Sequence, residues 1–220
     1  TGGAALTALF LTLIFGPSII RWLKLQQGAG QPIREDGPQS HLLTKKGTPT
    51  MGGVLILFSI LIGTILWADL TNHYVWIALL VTMSFGAIGF IDDYLKLSNR
   101  SSRGLSGKFK ILGQVVIGIV AALWMSEVTL GPLANGLTVP FLKEVLVPLG
   151  WFFVPWAVVV MVGASNAVNL TDGLDGLAIM PALIAAGCFA LIAYLVGNAV
   201  FSNYLQIHFV RGAGELAVFC

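Results

Sequence analysis

The stretch YVWIALLVTMSFGAIGFIDDYLK, residues 74–96, decides the fold. From Tyr74 to Ile91 it carries no charge, and then Asp92, Asp93 and Lys96 follow within five residues. A helix rises about 1.5 Å per residue and the hydrocarbon layer of a bilayer is about 30 Å thick, so an uncharged run of this length reads as a membrane span that ends on a charged face. Similar runs recur on both sides at Gly3–Leu23, Gly52–Trp67, Ile111–Met125, Val145–Gly163 and Leu177–Val196, and a further one begins near Gly214. The expectation is an all-α polytopic helical bundle, a single transmembrane domain over residues 1–220, with six spans and the start of a seventh. The second and fourth runs are short and need flanking residues to cross.

Composition agrees. The chain is 56% hydrophobic and 10% charged, with a mean hydropathy of +0.87, whereas a soluble domain carries about 25% charged residues. A formal net charge of +2 gives no basic surface for nucleic acid. Cys188 and Cys220 suggest neither a disulfide nor a metal site, and Cys188 reads as a small packing residue in an apolar run. Because the chain begins at Thr1 rather than Met and stops at Cys220 within an apolar run, it is expected to be part of a longer protein.

Charge sets orientation. Of the 12 Lys and Arg, Arg21, Lys24, Arg34, Lys45 and Lys46 lie from the end of the first span to the start of the second, and Lys96, Arg100, Arg103, Lys108 and Lys110 between the third and fourth. These are alternate loops, so both are assigned to the cytoplasmic side, together with the segment Asn166–Asp175. The links at Asp69–His73, Glu127–Glu144 and Gly197–Arg211 then face outward. Within the second of them, Asn135-Gly136 followed by Leu137-Thr138-Val139 predicts a small periplasmic β-hairpin over residues 129–141.

The unusual polar clusters all fall on the cytoplasmic side. Lys45-Lys46-Gly47-Thr48-Pro49-Thr50-Met51-Gly52-Gly53 leads into the second span. Either Thr50 caps that helix and the glycines allow close packing, or the helix N-terminus and the lysines receive a phosphate. The spacing is not that of a Walker A loop. Asp92 and Asp93 repel each other and call for a nearby cation; Mg²⁺ is the usual hard partner of such a pair. An Asp92–Lys96 pair four residues apart is the plainer reading, and it leaves Asp93 unexplained. In Asn166-Ala-Val-Asn169-Leu-Thr-Asp172-Gly-Leu-Asp175-Gly176 a polar residue recurs every third position, as a helical stripe or as a loop with Asx turns. Lys108 serves topology on local grounds, with phosphate binding as the alternative. His41, His73 and His208 sit in separate loops and make no common metal site.

Taken in order, Asp36-Gly37-Pro38-x-x-His41, Lys45-x-Gly47-Thr48-Pro49-Thr50-Met51-Gly52-Gly53, Asp92-Asp93-Tyr94-x-Lys96 and Asn166-Ala-Val-Asn169-Leu-Thr-Asp172-Gly-Leu-Asp175-Gly176 resemble the phospho-N-acetylmuramoyl-pentapeptide transferase family, a branch of the polyprenyl-phosphate sugar-1-phosphate transferases. The resemblance runs nearly end to end. It implies Mg²⁺-dependent transfer of phospho-MurNAc-pentapeptide from UDP-MurNAc-pentapeptide to undecaprenyl phosphate, giving lipid I and UMP, in the first membrane step of peptidoglycan synthesis. By the same resemblance, Asp92 and Asp93 are catalytic or Mg²⁺-binding, Lys45, Asn169, Asp172 and Asp175 lie at the nucleoside end, Lys96 and Lys108 meet phosphates, and Thr50 hydrogen-bonds in the same pocket. The family also implies ten spans, a homodimer, a place in the bacterial inner membrane, and a further Mg²⁺-binding aspartate in a Phe-x-Gly-Asp string absent from these 220 residues. Loading of another sugar phosphate, a transporter that uses the acids for ions, and a scaffold subunit are the competing readings.

Overall fold

A computed structural model describes residues 1–27, 49–99, 104–139, 142–171 and 177–220. Its helices follow the apolar runs: α1 (Gly2–Gln27), α2 (Gly53–Trp67), α3 (His73–Ser98) and α4 (Gly107–Val128). A two-stranded sheet, β1 (Gly136–Val139) and β2 (Leu142–Pro148), precedes α5 (Phe153–Thr171) and α6 (Ile179–Val196). The short helices α7 (Ala199–Leu205) and α8 (Leu216–Phe219) complete the described chain. Five helical segments are long and apolar enough to cross a membrane, and α2, at 15 residues, is shorter. Leu13, Ile14, Leu183, Ile184 and Phe189 stay exposed on their flanks, which suits a lipid surround. The chain is a multi-pass membrane protein of all-α class, as its hydropathy predicts.

Successive helices pack side by side from α1 to α5, while α6 lies against the turn Ala213–Glu215 and α8. Lipid tails are as apolar as leucine, so the seams rely on close approach and polar contacts rather than on hydrophobic burial. Gly63 of α2 meets the backbone of Ala4 in α1, where an added Cβ would stand 3.2 Å from the Ala4 carbonyl oxygen. Along the same seam Thr12 Oγ1 and Ser59 Oγ share a hydrogen bond of 3.3 Å, and Trp67 Nε1 donates to Thr7 Oγ1 at 3.0 Å. Between α4 and α5, the buried Gln114 accepts from Asn166 Nδ2 at 2.7 Å and donates to Ser165 Oγ at 3.3 Å.

Three boundaries depart from expectation. The third span runs past Ile91 to Ser98, with Asp92, Asp93 and Lys96 in its last turns; charged residues end a hydropathy run without ending a helix, and Asn72 caps the start by accepting from Tyr74 N–H. The fifth span does not begin at Val145. Residues Leu142–Pro148 form a strand, Gly150 turns at φ +54°, and the helix starts at Phe153 and runs through Asn166 and Asn169 to Thr171. Proline and glycine interrupt that apolar run where hydropathy alone reads through. The hairpin exists but is shifted: Gly136 pairs with Pro148, Leu137 with Val147 and Thr138 with Leu146. Asn135-Gly136 is not its turn. Asn135 closes a 3₁₀ turn over Gly131–Asn135, and its side chain is held by Ser126 Oγ of α4 at 2.8 Å.

At the end of α3 opposite Asp92 and Asp93, Asn72 Nδ2 donates to Gly212 O at 2.7 Å and Asp69 N–H to Glu215 Oε2 at 2.9 Å, tying the α2–α3 link to the segment before α8. Asp69 Oδ1 accepts from both Thr71 N–H and Thr71 Oγ1, and these bonds hold its carboxyl below the ordinary carboxylate value.

Candidate active site

Helical geometry places Asp92 and Asp93 four and three residues before Lys96, so one flexible ammonium reaches both. Lys96 Nζ lies 2.7 Å from Asp92 Oδ2 and 2.9 Å from Asp93 Oδ1. The three side chains are 19%, 13% and 30% exposed for Lys96, Asp92 and Asp93, so most of each is out of water. The remaining carboxylate oxygens are oriented from other elements. Asp92 Oδ1 accepts from Leu105 N–H at 2.8 Å, and Asp93 Oδ2 accepts from Thr50 Oγ1 at 2.9 Å. Gly104 permits the first of these, since a Cβ there would collide with the Asp92 carboxylate. Lys110, in the first turn of α4, adds positive potential at Asp92.

The group therefore carries two negative charges and one positive. Each carboxylate oxygen has one named donor and a lone pair to spare. An all-oxygen, net-negative pair of this kind suits a hard divalent cation that keeps most of its waters, and it supplies one or two ligands rather than a full shell. Among the described residues no cluster of three or more His, Cys, Asp or Glu assembles.

Of the residues singled out in the sequence, Thr50, Asp92, Asp93 and Lys96 come together here. One correction follows, and one open question is answered. Thr50 does not cap α2: the N-cap position is Gly52, without a side-chain bond, and the Thr50 hydroxyl crosses to Asp93 instead. The i,i+4 pair is also not the whole account of the acids, because Asp93 shares Lys96 and has its own partner in Thr50. Lys108 is exposed on the first turn of α4, and Asn169 is exposed on the last turn of α5. Lys45, Asp172 and Asp175 lie outside the described residues.

Sequence reasoning missed Gln27, whose carboxamide holds the backbone of Thr50, and Gln114 between α4 and α5. A lone amide inside the apolar run Ile111–Met125 was a usable signal for Gln114; nothing local marks Gln27. A cavity of about 780 Å³ opens at the other end of α3, lined by Tyr74, Thr129, Leu137, Trp156 and His208 among mostly apolar neighbours. Tyr74 and Asp92 are 18 residues apart on one helix, about 27 Å, so this cavity is no part of the acidic site.

A family model described as glycosyl transferase family 4 matches residues 75–218. The phospho-N-acetylmuramoyl-pentapeptide-transferase signature 1 matches residues 45–57, which include Lys45 and Thr50. The chain is 61% identical over its full 220 residues to a protein of Granulibacter bethesdensis named phospho-N-acetylmuramoyl-pentapeptide-transferase, and it spans 61% of that relative's length. Asp92, Asp93, Lys96, Lys108 and Asn169 all fall within the matched region, which covers well over half of the sequence; the chain belongs to glycosyl transferase family 4.

Proposed function

We propose that the protein transfers phospho-MurNAc-pentapeptide from UDP-MurNAc-pentapeptide to undecaprenyl phosphate, giving lipid I and UMP, on the cytoplasmic face of the bacterial inner membrane. The observation that carries this reading is the acidic pair held by Lys96 and Thr50 at the charged end of a membrane helix, in a chain 61% identical to a relative of that name. The family signature over residues 45–57 supports the same branch over other sugar-phosphate transferases.

In the reaction, a phosphate oxygen of the lipid attacks the β-phosphorus of the UDP-sugar. The bond from that phosphorus to the bridging oxygen breaks, and UMP leaves with the electron pair. Such transfers depend mainly on positioning and on neutralising charge. Asp92 and Asp93 would hold Mg²⁺, which when bound supplies positive charge against the pyrophosphate oxygens. Lys96 orients the two carboxylates and offsets part of their charge, with two of its three N–H groups engaged. Lys108, exposed at the start of α4, meets phosphate beside the free N–H groups of that helix. Lys45, Asn169, Asp172 and Asp175 bind the nucleoside end. With a second phosphate pKa near about 6, the lipid phosphate needs no general base at neutral pH, which favours direct attack over a covalent aspartyl intermediate. A homodimer is part of the same reading.

The test is UMP release by the full-length protein in detergent, with UDP-MurNAc-pentapeptide and undecaprenyl phosphate, in Mg²⁺ and then in EDTA. Release that stops in EDTA is the expected result. Absence of release in Mg²⁺, or uptake of a solute without UMP, would defeat the reading.

A further inference from the structure

Gln27 closes α1 by gripping a piece of main chain. Its Oε1 accepts from Thr50 N–H at 2.9 Å and its Nε2 donates to Thr50 O at 3.1 Å, so one carboxamide takes up both polar groups of a residue 23 positions away. The residue that follows, Met51, turns at φ +70°. A long side chain adopts the left-handed region only where its surroundings hold it there. Support within the segment itself is thin, because the Gly52 N-cap of α2 has no side-chain bond. The hydroxyl of the gripped Thr50 then reaches Asp93 Oδ2 at 2.9 Å.

The clamp adds nothing to the seam between α1 and α2 that other contacts lack. That seam is closed further along by Gly63 against Ala4, Thr12 with Ser59 and Trp67 with Thr7. A glutamine at the half-exposed end of α1 would be served as well by water. What the clamp does is place one turn of backbone against α3, beside the acidic pair.

We propose that Gln27 is a positioning residue of the transfer reaction: by holding the Thr50 backbone against the strained turn at Met51, it fixes the Thr50 hydroxyl on Asp93 and so sets the orientation of that carboxylate. The inference rests on the reading of Asp93 as part of the transfer site.

The experiment compares wild type, Gln27→Ala, Gln27→Glu, Thr50→Val and the Gln27→Ala/Thr50→Val pair in the full-length protein. It reads kcat and KM for UMP release, and amide hydrogen exchange over residues 50–53. Gln27→Glu preserves shape and the acceptor to Thr50 N–H but sets an oxygen against the Thr50 carbonyl, so it tests the clamp even where the alanine variant folds poorly. Both Gln27 variants are expected to lose about tenfold in kcat with KM within about twofold, since small misplacements near the reacting atoms act on the chemical step. Residues 50–53 exchange faster in both. The double variant turns over no more slowly than Thr50→Val alone, because the two residues act through one contact. Wild-type kcat in both Gln27 variants, unchanged exchange, or losses that multiply in the double variant would overturn the proposal. A wild type that releases no UMP while Gln27→Ala still speeds exchange would instead sink the transfer reading, and the catalytic meaning of the clamp with it.

Discussion

Lys96→Met probes the site through its shared cation. Methionine keeps the length and apolar stem of the side chain and removes the ammonium that stands 2.7 Å from Asp92 and 2.9 Å from Asp93. A hydrogen bond to a charged partner contributes about 1.5–3 kcal/mol when protected from water, and an exposed ion pair about 0.2–1 kcal/mol. With the partners between 13% and 30% exposed, screening leaves each contact between those limits, near about 1–2 kcal/mol, so the two together contribute roughly 2–4 kcal/mol. If transfer requires both carboxylates ionised and aimed, that energy reappears as a loss in kcat/KM of about 30- to 1,000-fold, at about 1.4 kcal/mol per decade. The assay is UMP release by the full-length protein, with thermal unfolding in the same detergent to confirm a folded sample. A folded Lys96→Met variant within about threefold of wild type would refute the claim that the shared ammonium organises the acids.

Asp93→Asn preserves shape and the contact with Thr50 but removes a charge, and should bring UMP release to background with membrane insertion intact, as read by fractionation. Gly104→Ala puts a methyl group into the Asp92 carboxylate; kcat should fall by about tenfold or more with little change in thermal stability, because the loop moves and the Leu105 N–H leaves the acid. Gln114→Leu deprives Asn166 of its partner across α4 and α5 and should destabilise the folded protein by roughly 0.6–1.7 kcal/mol, the range for such bonds between membrane helices, measured by unfolding in mixed micelles. Asp69, whose carboxyl is held low by Thr71, lends stability above its unfolded pKa and loses it as pH falls through the lower folded value; Asp69→Asn should flatten that acid limb of the unfolding curve.

Hydropathy carried the number and order of the spans because every span must satisfy its backbone internally, and only long apolar helices do so in lipid. It placed the ends badly wherever charge and helix overlap, as at Asp92–Ser98, or where an apolar strand adjoins an apolar helix, as at Leu142–Phe153. The site was half legible. Asp92, Asp93 and Lys96 are neighbours in sequence, so their contact follows from helical spacing. The bond from Thr50 to Asp93 spans 43 residues, and the clamp from Gln27 to Thr50 spans 23. No local pattern marks either, since both depend on how α1, α2 and α3 align at one end. Local reasoning offered a helix cap as one reading of Thr50, because a Thr before an apolar helix often is one; here its hydroxyl has a stronger acceptor in a carboxylate.

The shortness of α2 has a mechanical consequence. At 15 residues it is about 22 Å long, against a hydrocarbon layer of about 30 Å, while α1 and α3 beside it have 26 residues each. Trp67 bonds Thr7 of α1 at one end of the helix, so the missing length falls at the other end, which carries Gly52 and Thr50. The bilayer must thin there or leave a dent lined by polar groups. If the chain transfers to a polyprenyl phosphate as proposed, that dent is where the lipid phosphate would approach the Thr50–Asp93 end of the site. In that case turnover should vary with the acyl-chain length of the host membrane, since thicker bilayers raise the cost of hydrophobic mismatch at that end of α2.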